Sequence, residues 1–271
     1  MLKSQRLLAL NEGINFRELG GYETIDHHHI KWHKLLRSGE LHFLTQTDIN
    51  NLVAYGLRYD VDLRSDSEIN AMHDPYIPNC TYVQASVFPF DCDKNTAIWH
   101  KFREYLREYR QASEHHTHLT SLDETYIKMV TDEHALKAYR KLFTTLLANT
   151  KENSALVFHC TAGKDRTGVG AILIEEALGL PLATIKDDYL LTNVIISNTL
   201  DDINKLREEV NDDHNIGSLV NQLNNESIGQ LTFDIITQTI LDSWHTWQNY
   251  FEDALHLNQN DLNDLKKIYL Q

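Results

Sequence analysis

The stretch ALVFHCTAGKDRTGVGAILIEEALG, residues 155–179, decides the fold. It opens on a short continuous apolar run, Ala155 to Phe158, of the kind buried on both faces of a parallel sheet. After the loop, Val169, Ile172, Leu173 and Ala177 fall at helical spacing, and Gly179 and Pro181 are stop signals. Between strand and helix lie small side chains together with Cys160 and Arg166. A strand that ends in such a loop and enters a helix aims backbone N–H groups at one point. The helix N-terminus adds partial positive charge, so the place suits an anion.

The residue types in this loop specify a chemistry. Cys160 sits at its mouth, where the field of the loop and a guanidinium favours the thiolate, the nucleophilic form. Arg166, six residues on, can return to clamp two phosphate oxygens with its planar fork. The loop of Thr161, Ala162, Gly163 and Lys164 would bind the phosphoryl oxygens, and the Thr167 hydroxyl can donate to the cysteine sulfur. Two displacements are implied: Cys160 takes a phosphoryl group, then water hydrolyses the thiophosphate. His159 is expected to support the sulfur from behind. No metal and no cofactor is required.

Working outward, INFRELGGY reads as a short strand broken at Gly20-Gly21, and residues 22–41 as a hairpin around Asp26-His27. Thr45 with Asp48 forms a capping-box pattern that starts a helix through about Ala54. RYDVDLR, residues 58–64, alternates like a core strand, and a further strand is expected near Thr81 to Ala85. Trp99, Phe102, Leu106 and Tyr109 give an amphipathic helix inside an insertion of about residues 96–131, either core packing or a lid. Leu136 to Asn149 is helical in pattern, as is nearly all of the chain from Leu182 to Leu270. With four prolines and no Gly/Ser run, residues 1–271 read as a single domain.

HCTAGKDRTG, residues 159–168, resembles the signature loop of the protein tyrosine phosphatase superfamily, H-C-x5-R-[ST]. The Gly-Lys-Asp variant is similar to a branch of bacterial tyrosine phosphatases of the dual-specificity type. NFRELGGY (15–22), LLRSGEL (35–41), VDLRSDSE (61–68) and DDYLLTN (187–193) are each similar to segments of that branch, so the resemblance covers most of the chain. It implies the cysteine phosphatase fold, an α/β architecture with a central, mostly parallel sheet, helices on both sides and a helical lid-like insertion. It also implies phosphomonoester hydrolysis on phosphotyrosine, and in some members on phosphoserine/threonine or phosphoinositides.

Splitting a phosphotyrosine ester calls for a general acid. The resemblance points to Asp165, inside the loop. The rival is Asp91, at the end of FPFD in a Pro-bearing aromatic loop. An ionised carboxylate beside a phosphate dianion is repelled while a protonated one is favoured, so bound substrate would load Asp165 as the acid. The alternative for Asp165 is an outward carboxylate paired with Lys164. Arg17, Arg37, Asp62, Arg64 and Glu68 are expected to form ion pairs that support the loop, with Asn15 beside it.

Other features are read more plainly. His27-His28-His29 and His33 could suggest a metal, but consecutive histidines in a strand point to opposite faces, so an exposed turn is expected. His115, His116 and His118 are read in the same way. Net charge is −14, which argues against nucleic acid and against a stable hold on anionic membrane. Three cysteines make no disulfide framework, and no run approaches a membrane span. A soluble, cytoplasmic protein is expected, with secretion open if a signal has been removed. The competing functions are a phosphoinositide phosphatase using the same loop, a non-catalytic phospho-binding module and a sulfurtransferase. The oligomeric state is left open.

Overall fold

Alternation along each strand sends side chains to two separate cores, and this sorts the helices into two layers. The computed structural model describes residues 2, 4–90, 121–197, 206–207, 209–211, 216–220 and 229–271. Among the described residues, five strands form one sheet: β1 Arg17–Glu18, β2 Leu35–Ser38, β3 Leu57–Asp62, β4 Thr81–Gln84 and β5 Ala155–His159. Their order is β1-β2-β5-β3-β4, with β1 antiparallel to β2 and the rest parallel. The central strand β5 is buried at every residue, as its continuous apolar run predicts. Leu156 and Phe158 enter the larger core, whereas Ala155 and Val157 enter the smaller one.

The smaller core is covered by α1, Gln46–Tyr55, whose Thr45–Asp48 capping box starts it as expected. Gly56 ends α1 in the left-handed region and leads directly into β3. A short helix α2, Asp66–Ala71, follows β3. The larger core holds α3 Ser121–Thr131, α4 Glu133–Ala148, α5 Asp165–Leu178, α6 Leu182–Ser197, α7 Gly229–Trp244 and α8 Gln259–Tyr269. Helix α5 ends on Gly179 in the left-handed region, and α8 carries Asn258 as its cap with Lys266 and Lys267 in the last turn.

The hairpin expected over residues 22–41 is only partly built. A turn does form, with Glu23 bridging His29 and Ile30 N–H donating to the Tyr22 carbonyl. Beyond it, His29, Ile30 and Lys31 pair with Tyr269, Leu270 and Gln271, so the C-terminal segment replaces the second half of the hairpin. His27, His28 and His29 are exposed. Of the predicted insertion, α3 is described and packs against α4, α5 and α7. Trp99, Phe102, Leu106, Tyr109, His115, His116 and His118 lie outside the described residues. Among those described, no helix is long and apolar enough to cross a membrane.

Candidate active site

Cys160 follows β5 directly and is buried, while Arg166 stands in the first turn of α5. The loop between them needs Gly163: its φ is +66°, and a Cβ there would lie 2.5 Å from the Ser38 carbonyl carbon and the Gly39 nitrogen. Polar groups from the start of the chain hold the loop from outside. Asn15 donates to the Gly163 carbonyl at 2.9 Å and to the Ala162 carbonyl at 3.3 Å. Arg37 donates to the Gly163 carbonyl at 3.2 Å, and Glu40 N–H to the Thr161 carbonyl at 2.9 Å. With its carbonyls tied back, the loop can turn its N–H groups inward.

Behind these contacts lies a buried ionic cluster. Arg17 pairs with Asp188 at 3.1 Å and Arg37 with the other Asp188 oxygen at 2.5 Å, all three side chains being fully buried. Tyr22 also donates to Asp188, and Arg17 to Asn15. Burial pushes the Asp188 carboxyl up, but the Arg17 and Arg37 charges outweigh it and hold it well below the carboxylate range. Asp188→Asn would strand two buried guanidinium groups, with an expected loss of about 3–5 kcal/mol in urea unfolding. Because the folded value is depressed, this stabilisation is present above about pH 3.9 and is lost as pH falls through the folded value. The Asn variant should lack that step in acid unfolding.

Glu68 holds Arg166. Both terminal nitrogens of the guanidinium donate to the Glu68 carboxylate at 2.7 Å, and Thr161 Oγ1 donates to it at 2.5 Å. These contacts, Arg166 first, keep the Glu68 carboxyl far below its ordinary range. The Phe88 ring lies 4.8 Å from the Arg166 guanidinium carbon, so the FPF segment starts beside the site. Asp91, the rival acid, lies outside the described residues.

Asp165 is half-buried at the start of α5, and its Oδ1 accepts a hydrogen bond from the Tyr126 hydroxyl of α3. Tyr126 in turn meets the Tyr189 hydroxyl of α6. Burial, then Tyr189 and the Asp165 charge, push the Tyr126 phenol far up, so it stays a donor. Lys164 is exposed. The Thr167 hydroxyl lies 3.5 Å from the Ser38 carbonyl oxygen. His159 turns its ring to the smaller core: Nδ1 is 3.4 Å from the Cys160 carbonyl oxygen, and Nε2 is 3.2 Å from both Asp60 and Asp74. Burial alone would discharge that ring, but the Asp60 charge and the contacts with Asp60 and Asp74 hold its pKa well above the ordinary value.

The ion pairs expected of Arg17, Arg37, Asp62, Arg64 and Glu68 are all present, with Arg64 forked onto Asp62. Sequence reading missed Asp188 and Tyr126. Asp188 lies in DDYLLTN, a segment singled out without a role for its carboxylate, and Tyr126 carries no local signal.

A family model described as tyrosine phosphatase family matches residues 8–271. The chain is 28% identical over 186 residues to a provisionally named tyrosine-protein phosphatase of Cupriavidus necator, covering 69% of this chain and 63% of that one. It is 29% identical over 191 residues to the triple specificity protein phosphatase PtpB of Mycobacterium tuberculosis, covering 66% of each. A tyrosine-protein phosphatase of Nostoc commune is 27% identical over 157 residues, which is 58% of this chain and 47% of that one. The chain thus spans less than two thirds of the length of each of these relatives.

Proposed function

Because the chain belongs to the tyrosine phosphatase family, we propose that it hydrolyses phosphomonoesters through a phosphocysteine on Cys160. Its substrates are phosphotyrosine and also phosphoserine or phosphothreonine in proteins. The observation that carries this reading is Cys160 at the end of β5 facing a loop whose carbonyls are tied back and whose Arg166 is held by Glu68. Residues 1–271 act as one phosphatase domain, and the family match over residues 8–271 supports this. A cytoplasmic setting suits the odd cysteine count.

In the first step the Cys160 sulfur attacks phosphorus while the ester oxygen leaves with a proton from Asp165. The N–H groups of Thr161, Ala162, Gly163 and Lys164, with Arg166, carry the charge on the three equatorial oxygens. Glu68 uses one N–H from each terminal nitrogen of Arg166, which leaves the Nε edge for phosphate. In the second step water attacks phosphorus, Asp165 takes its proton, and the thiolate leaves with help from Thr167. His159 holds the Cys160 backbone. Tyr126 occupies Oδ1 of Asp165 and leaves Oδ2 to carry the proton. Tyr126→Phe should lower kcat/KM for phenyl phosphate about fivefold, the worth of one hydrogen bond, and change kcat/KM little for an ester with a good leaving group.

The test is phosphate release from a phosphotyrosine peptide, a phosphoserine peptide and a soluble inositol phosphate. Phosphotyrosine should turn over fastest. Turnover of the inositol phosphate alone would favour the phosphoinositide reading, in which exposed Lys164 meets a second phosphate. Release from none of the three would reject the proposal.

A further inference from the structure

On the face of the sheet that carries α1 and α2, three polar atoms converge without well-aligned hydrogen-bond partners. They are Asp60 Oδ1 from β3, Asp74 Oδ2 from the segment after α2, and His159 Nε2 from the end of β5. Asp60 and His159 are at least nine-tenths buried, and the Asp74 side chain is nearly so. The three atoms lie within 4.8 Å of one another, with His159 3.2 Å from each carboxylate oxygen. From these features the geometry points to a binding site for one divalent transition-metal ion, of the zinc or cobalt kind, held by His159, Asp60 and Asp74.

The dimensions fit such an ion. Two donors 3.2 Å apart, each bonded at ~2.1 Å, subtend about 100° at the metal, close to a tetrahedral angle. Imidazole with two carboxylates is a donor set such ions accept. The surrounding groups are those that orient metal ligands. His159 Nδ1 faces the Cys160 carbonyl oxygen, so the ring would keep its Nδ1 proton, and a bound metal would displace the Nε2 proton that faces Asp60 and Asp74. Asp74 Oδ1 accepts from Leu41 N–H, and Arg64 stands 2.9 Å from Oδ2. The Arg64 charge opposes a cation, but Asp62, Asp74 and Glu40 pair with it and Asp60 faces His159, so the cluster stays negative.

There is also a way in. Asp60 and Asp74 line an open cavity of about 450 Å³ together with His73, Tyr76, Cys80 and Tyr82, through which an ion and a water could reach the fourth position. Phosphoryl transfer does not need this ion. Its place one residue from Cys160 makes it a stabiliser of the strand end that carries the nucleophile.

The probe is Co²⁺ in equilibrium dialysis against the Cys160→Ser protein, which removes the catalytic thiolate as a competing ligand. One Co²⁺ per chain is expected, with visible d–d absorption and a rise in Tm. Asp74→Asn, near the cavity, should weaken binding at least about tenfold. Asp60→Asn should do the same if it folds, and replacing His27, His28 and His29 by Ala should leave uptake unchanged. No cobalt uptake by the Cys160→Ser protein, or an affinity that Asp74→Asn leaves unaltered, would overturn the site. In the first case a proton on His159 alone joins the two carboxylates.

Discussion

Cys160→Ser is expected to lower phosphate release from a phosphotyrosine peptide by at least about 10⁴-fold, with substrate still bound. A serine hydroxyl has no thiolate to offer, and no base is placed beside it in the mechanism proposed here. The binding half of the site, meanwhile, does not depend on sulfur. Loop N–H groups are fixed by the Asn15, Arg37 and Glu40 contacts, and Arg166 by Glu68. Binding of the peptide to the variant, followed by fluorescence or calorimetry, should therefore stay within a few fold of the unreacted complex. Wild-type turnover by the serine variant would overturn the mechanism at its first step.

Asp165→Asn carries the second large effect. With phenyl phosphate, whose leaving group has a pKa of about 10, kcat should fall by roughly 10²–10⁴-fold. With a nitrophenyl ester, whose leaving group departs as the anion unaided, the loss in kcat/KM, which reports the first step, should be much smaller, while kcat still falls through the slowed hydrolysis. The difference is diagnostic because Asn keeps the size of the side chain and its place at the start of α5, next to Tyr126. Unchanged rates with both esters would reject Asp165 as the acid. The same pair of esters with Asp91→Asn tests the rival carboxylate.

Much of the frame was legible because its signals are local. The apolar run of β5, the Thr45–Asp48 box before α1 and Gly179 after α5 each act over a few residues, and each stands where the sequence predicts. Supporting charges were legible as types, since arginines and carboxylates at strand ends need partners. The identity of those partners was not. Asp188 meets Arg17 and Arg37 across 171 and 151 positions, and Tyr126 meets Asp165 across 39. No spacing rule reports such pairs, because they arise only when α3 and α6 pack on α5 and the sheet. The half-built hairpin failed for the same reason: its alternation was real, but residues 269–271 supplied the pairing instead.

The proposed mechanism requires a covalent intermediate at Cys160. Turnover of a phosphotyrosine peptide, stopped by denaturation at alkaline pH where a thiophosphate monoester survives, should yield a protein with one phosphoryl group. Mass spectrometry should place it on the peptide containing Cys160, and Cys160→Ser should abolish it. Rapid phosphate release with the phosphoryl group on another residue, or with none during steady turnover of a nitrophenyl ester by the Asp165→Asn variant, in which hydrolysis is the slowed step, would contradict the mechanism.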